Sequence, residues 1–162
     1  MIELTKQDFD ITSDEDEIRV DGICRELLRE FHGYLLERGT PPLEAGSLAH
    51  GADYYLRDFL VACLRDNLLD ERPGKVRRFA ATWYIISTLE PNGEELVGYL
   101  KGVREFYRFL YALGGISALC LQQAELECGD MPYYEERIES FLAITGDGYS
   151  TWAKECPLKD RG

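Results

Sequence analysis

The chain has 162 residues, of which 45% are hydrophobic, so length and composition predict one globular domain with a substantial core. Its formal net charge of −12 argues against a protein built as a whole to hold a polyanion such as DNA or RNA. The five cysteines include no CxxC pair, which indicates reduced thiols rather than a disulfide framework or a zinc site.

No apolar run approaches the ~18 residues that a membrane-spanning helix needs. The acidic N-terminus also lacks the basic and apolar regions of a signal peptide. We therefore expect a cytoplasmic protein without membrane contact.

Residues 1–20 are predicted to form a flexible acidic arm, because carboxylates dominate them and the run SDEDE at 13–17 favours solvation. That run lacks the central Gly and the terminal Glu of an EF-hand loop, so it predicts no metal site. Residues 21–144 are predicted to form a single compact all-α bundle of five to six helices. Residues 145–162 lack periodicity and predict an irregular tail, which Trp152 anchors because Trp is highly buried on average.

Hydrophobic periodicity and turn signals place the helices of this bundle. Short connections between them favour antiparallel neighbours. A linker is expected at 40–46, where two prolines are adjacent. The expected helices cover about 21–38, 47–69, 73–89, a central helix capped by Asn92 and Gly114, then 117–128 and 130–142.

The central helix has the clearest signals. Asn92 is a good N-cap, and Glu95 lies three residues on, where its side chain can reach back to the Asn92 amide. Gly114 suits a left-handed C-terminal cap. Apolar residues at three- and four-residue spacing predict a core stripe. They are Leu96, Tyr99, Leu100, Val103, Phe106, Tyr107, Leu110 and Tyr111.

A basic strip lies beside that stripe. Lys101, Arg104 and Arg108 fall within an arc of roughly 60° at 100° per residue. Residues 72–108 carry a local net charge of +3, which leaves −15 for the rest of the chain. Together with cations of the preceding helix, the strip could meet DNA phosphates, or it could neutralise the acidic helices and arm. The candidate nucleic-acid-binding residues are Lys75, Arg77, Arg78, Lys101, Arg104 and Arg108.

The remaining side of the central helix carries Gly98, Gly102 and Phe109. Each interior glycine costs on the order of 1 kcal/mol relative to alanine, so two on one face call for a physical reason. Close approach of another helix or another chain supplies one. We therefore predict a helix-contact or self-association face at these three residues.

The sequence contains no recognisable catalytic motif. Its two histidines, His32 and His50, lie in no HExxH or ExxH pattern, and GxSxG, GxxxxGK and a strand-to-helix GxGxxG are absent. We therefore predict no catalytic residue, no metal and no cofactor. One alternative stays open, which is a small-molecule or enzymatic role for a pocket between helices lined by Tyr99, Tyr133 and Tyr134.

The string VREFYRFLYALGGI at 103–116 resembles the last helix of the core-binding domain of tyrosine recombinases and phage integrases. That helix ends in an aromatic pattern of the form R-x-F-[YF]-x-[FY]-L, followed by a glycine turn. ADYYLRDFL at 52–60 loosely resembles an earlier helix of that domain, and 91–100 resembles the entry into its last helix. The matching residues at the end of the string are Arg104, Phe106, Tyr107, Phe109, Leu110 and Gly114 or Gly115.

This resemblance covers about 50–117, less than half of the chain. It implies a small helical bundle that clamps one side of duplex DNA. The family's catalytic domain follows that bundle, and the 46 residues after Ile116 are too few to hold it, so the resemblance implies no strand cleavage.

The sequence thus predicts a non-catalytic helical interaction module, whose partner is another protein or a second copy of the chain. One alternative is a duplex DNA-binding module that resembles a recombinase core-binding domain, although the net charge disfavours it. The other is the tyrosine-lined pocket.

Overall fold

The computed structural model describes residues 3–155. Within this range the fold is all-helical, as predicted, but it has seven helices rather than five to six, after a short 3₁₀ turn at Lys6–Phe9. The two helices α2 and α3 change between α and π geometry along their length, so each is given by its parts. The helices are α1 (Asp14–Glu37), α2 (Pro42–Asp53 and Tyr54–Cys63), α3 (Lys75–Arg78, Phe79–Trp83 and Tyr84–Ser87), α4 (Gly93–Ala112), α5 (Ala118–Cys128), α6 (Met131–Leu142) and α7 (Tyr149–Lys154).

Helix α1 begins at Asp14 and not at about Asp21 as predicted, so the acidic run belongs to the bundle. The Ser13 hydroxyl caps it by accepting from the Asp16 amide at 3.1 Å. Carboxylates in a first turn favour the helix because they complement its dipole. The segment before the helix is also attached, since Phe9 is buried and Arg19 donates to the Asp8 carbonyl oxygen at 2.6 Å.

Helix α2 begins at Pro42, inside the predicted linker 40–46. Proline suits the first helical position, where the missing N–H would have no partner. The helix ends at Cys63, shortly before Arg65 takes a left-handed conformation with φ of 50°. Arg65 then forms ion pairs with Asp14 and Glu17 on α1, which tie the end of α2 to the start of α1.

Helix α4 lies at the centre and contacts α1, α2, α5 and α6. The Asn92 side chain caps it by accepting from the Glu95 amide at 2.8 Å, as predicted. Glu95 does not bond the Asn92 amide directly. Instead, the Tyr84 hydroxyl lies between them: it accepts from Asn92 N at 3.1 Å and donates to Glu95 Oε1 at 2.8 Å. The predicted stop is also present, because Gly114 has φ of +77° and Gly115 N donates to Leu110 O at 2.9 Å.

The predicted core stripe of α4 is mostly buried. Tyr99 is half-buried, and Tyr111 at the end of the stripe is 46% exposed, contrary to the prediction. Near the end of a helix fewer neighbours remain to cover the side chain, so periodicity overestimates burial there. The buried members are Leu96, Leu100, Val103, Phe106, Tyr107 and Leu110.

Two of the three residues on the glycine face of α4, Gly102 and Phe109, contact other helices of the chain. A Cβ added at Gly102 would lie 2.3 Å from the Leu48 carbonyl oxygen of α2, and one added at Gly51 of α2 would lie 2.9 Å from the Tyr99 carbonyl oxygen. Phe109 is buried, with its ring 5.5 Å from that of Phe31 on α1. At Gly102 and Phe109 the predicted helix-contact or self-association face therefore contacts helices of the same chain.

The tail contains the short helix α7, where an irregular segment was predicted. Trp152 is buried, as predicted. The Arg137 guanidinium lies 3.9 Å from the centre of the Trp152 ring and donates to the Trp152 carbonyl oxygen at 2.8 Å. Trp152 Nε1 in turn donates to the Arg137 carbonyl oxygen at 3.1 Å. The predicted tail residues 156–162, including Cys156, lie outside the described residues.

None of the helices in residues 3–155 combines the length and the apolar character that a membrane-spanning helix requires.

The two glycines of α4 are a matched pair for testing the α2–α4 contact. Gly102→Ala should lower the free energy of unfolding by about 1–3 kcal/mol, because its methyl group meets the backbone of α2. Gly98→Ala should raise it by about 0.5–1 kcal/mol, because a Cβ there meets nothing within 4 Å and alanine favours a helix. Urea denaturation of both variants measures the difference. Equal effects of the two substitutions would contradict the close approach.

Candidate functional site

The first candidate site is the predicted basic strip, and the structure separates its members. Lys75 and Arg77, at the start of α3, are 9% and 8% exposed. The Lys75 ammonium donates to the Asn67 carbonyl oxygen at 2.6 Å, and Arg77 forms an ion pair with Asp130 at 3.0 Å. Neither side chain is presented to a duplex at the surface.

The other four cations differ in exposure. Arg78 and Lys101 are exposed, whereas Arg104 is half-buried with a buried Nε that makes no hydrogen bond to any described residue. Arg108 is exposed but forms ion pairs with Glu105 at 2.6 Å and Glu125 at 2.7 Å. The six residues therefore do not form one open basic strip, because burial removes two and local carboxylates neutralise a third.

Sequence reasoning missed the residue that organises the start of α3. Glu127 lies on α5, yet it is only 2% exposed. Its Oε2 accepts from the Gly74 amide at 2.9 Å, and its Oε1 accepts from the Arg77 amide at 2.8 Å. Gln123, one turn earlier on α5, donates to the same carboxylate at 2.8 Å. Glu127 therefore serves as the N-terminal cap of α3 from 53 residues away in the sequence.

A cleft opens beside this cap. It has a volume of about 20 Å³, is half-open to solvent, and lies between the loop before α3, the start of α3, α4 and α5. Its lining combines charged and neutral polar groups from three helices. The lining residues of chemical interest are Asp70, Arg72, Lys75, Tyr107, Cys120 and Glu127.

Burial lowers the pKa of the Lys75 ammonium, and the nearby carboxylates Asp66 and Asp70 oppose that shift. Burial also raises the pKa of the Cys120 thiol, and Glu71 adds to that effect. The Tyr107 hydroxyl lies 2.7 Å from the Tyr55 hydroxyl, and burial raises the pKa of both phenols. The tyrosines and the thiol therefore stay protonated at neutral pH.

The tyrosines predicted to line a pocket lie elsewhere. Tyr134 is fully buried and its hydroxyl donates to the Glu127 carbonyl oxygen. Tyr99 packs its ring against Tyr54 at 4.9 Å and against His50 at 5.9 Å. No set of three or more His, Cys, Asp or Glu side chains in residues 3–155 is arranged to hold a metal ion.

No family model, curated protein or solved structure matches this chain. The resemblance of 103–116 to a recombinase core-binding helix therefore stays a prediction from the aromatic pattern.

The cap formed by Glu127 can be tested against a neighbour on the same helix. Glu127→Gln should lower the free energy of unfolding by about 1–3 kcal/mol, because an amide cannot accept from all of the donors that the buried carboxylate satisfies. Glu125→Gln removes only the surface ion pair with Arg108 and should change it by about 0–1 kcal/mol. Chemical denaturation compares the two. If both variants matched the wild-type protein, Glu127 would not be the cap that holds α3.

Proposed function

We propose that this chain is a non-catalytic helical interaction module, which binds another protein or a second copy of itself. The observation that supports this proposal is the outer face of α5. Leu119 and Leu126 are 77% and 69% exposed there. They are one heptad apart, about 20° from each other around the helix axis.

The same outer face carries Ala118 and Gln122, both exposed and uncharged. The inner face of α5 is occupied by the bundle, because Ala124, Glu127 and Cys128 are buried. Leu119 and Leu126 therefore lie on the side of α5 that faces away from the bundle. Single exposed apolar residues are common on proteins, whereas two leucines on one uncharged helix face favour packing against another helix.

A double variant tests this surface. The wild-type protein should self-associate reversibly at high concentration, and Leu119→Glu with Leu126→Glu should make it monomeric, because charges replace the apolar contact. Leu43→Glu is the control, since Leu43 is 92% exposed and lies on α2. Sedimentation equilibrium measures the effect. A wild-type protein that stays monomeric at every concentration would exclude self-association and leave only a different protein as partner.

The alternative of duplex DNA binding rests on the exposed cations Arg78 and Lys101. Too few phosphate contacts remain for appreciable affinity, because Lys75 and Arg77 are buried and Arg108 is paired. The net charge of −12 also repels a duplex.

We therefore expect no complex with duplex DNA in a gel-shift titration at micromolar protein and about 50 mM salt. The DNA proposal would instead gain support from a shift that Lys101→Glu abolishes and Lys154→Glu preserves. Lys154 is an exposed lysine on α7, away from the predicted strip, so it controls for the charge change alone.

A further inference from the structure

The cleft beside the Glu127 cap contains a buried ammonium group that is only partly satisfied. Lys75 has three N–H donors, and the Asn67 carbonyl oxygen accepts one of them. Within residues 3–155 no other hydrogen bond and no ion pair involves this side chain. Asp66 and Asp70 favour the charged form of Lys75, but neither forms an ion pair with it. A buried positive charge without an ion-pair partner is costly, so the remaining donors of Lys75 require acceptors.

The tyrosine pair leaves a second donor unused. Tyr55 and Tyr107 share one hydrogen bond between their hydroxyl groups, and each hydroxyl has one proton. One proton occupies the shared bond, so the other needs a different acceptor. The described residues supply none. Tyr107 is the member of the pair that lines the cleft.

The carboxylates around the cleft accept hydrogen bonds from groups other than Lys75. Glu127 accepts from Gly74, Arg77 and Gln123. Asp70 accepts from the backbone and side chain of Arg72 at 3.0 Å each. Glu71 accepts from the amide and hydroxyl of Ser117. The lining is therefore formally acidic, yet the buried Lys75 ammonium keeps unused donors, and the tyrosine pair has one further hydroxyl proton that either oxygen can carry.

A carboxylate ligand supplies acceptor oxygens for the unused donors of Lys75 and carries the opposite charge, so its hydrogen bond to the ammonium would be charge-assisted. The cleft is half-open, and its volume of about 20 Å³ is enough for one ligand oxygen, while the rest of the ligand would lie at the open side. A phosphate dianion suits the site less well, because Asp70, Glu71 and Glu127 would repel its larger charge.

We propose that this cleft binds a small carboxylate, one oxygen of which enters the cleft and accepts from Lys75. The neighbouring carboxylates weaken the attraction, so the dissociation constant for acetate is on the order of 1 mM. This site is separate from the outer face of α5, and it does not depend on the interaction surface proposed there.

Ligand-detected NMR with acetate, in a buffer free of other carboxylates, tests the site. The wild-type chain should give saturable binding, which Lys75→Met weakens by about tenfold or more because the charged donor is lost. Lys101→Met is the matched control, since it removes the same charge at an exposed position and should leave acetate binding unchanged. Circular dichroism establishes that each variant is folded.

Tyr107→Phe provides a second variant if Lys75→Met fails to fold. It removes one hydroxyl from the lining and should weaken acetate binding by a few-fold. Inorganic phosphate is tested in parallel and should bind more weakly than acetate. The proposal is overturned if the wild-type chain shows no saturable acetate binding, if the folded variants bind acetate as the wild-type does, or if phosphate binds as tightly.

Discussion

The backbones of α2 and α4 come so close that both helices need glycine at the contact. Gly102 faces the Leu48 carbonyl oxygen and Gly51 faces the Tyr99 carbonyl oxygen, so neither position has space for a methyl group. Gly102 follows Tyr99 by three residues and Gly51 follows Leu48 by three, which makes the contact reciprocal. The loss of helix propensity at the two glycines is offset by the packing that the short distance allows.

With α4 held against α2, its other sides are available to the remaining helices. Phe109 meets α1, and the Arg108–Glu125 ion pair bridges α4 to α5. Elsewhere in the bundle, Glu127 of α5 caps α3, and Arg137 of α6 contacts Trp152 of α7. In this acidic chain, many of the hydrogen bonds and ion pairs of charged side chains thus connect one helix to another.

Signals that act within a few residues were readable from the sequence. Asn92 and Gly114 each do what their residue types predict, because a cap bonds the backbone three to five residues away. The prediction that the acidic run at 13–17 is a solvated arm is wrong, because Arg65, some 50 residues later in the chain, pairs with Asp14 and Glu17 of this run.

Contacts between distant segments could not be predicted in the same way. Gly98 and Gly102 lie on the same face and look equivalent in the sequence, yet only Gly102 touches α2. In the sequence Glu127 looks like an ordinary solvated carboxylate on a helix, and only the fold shows that it accepts from the Gly74 amide. The predicted basic strip is wrong for the same reason. Helical spacing predicts the side of the helix on which Arg77 or Arg108 lies, but it does not predict which carboxylate of another helix pairs with that arginine.

Helix α5 connects the two proposed binding surfaces. Its outer face presents Leu119 and Leu126, and its inner face supplies Cys120 and Glu127 to the cleft. Glu127 accepts from the Gly74 and Arg77 amides on either side of Lys75, so α5 is joined directly to the segment that carries Lys75. A partner that packs on the leucines and a carboxylate that enters the cleft would contact opposite faces of one short helix, and coupling between them would further require that α5 have two arrangements that both ligands bias.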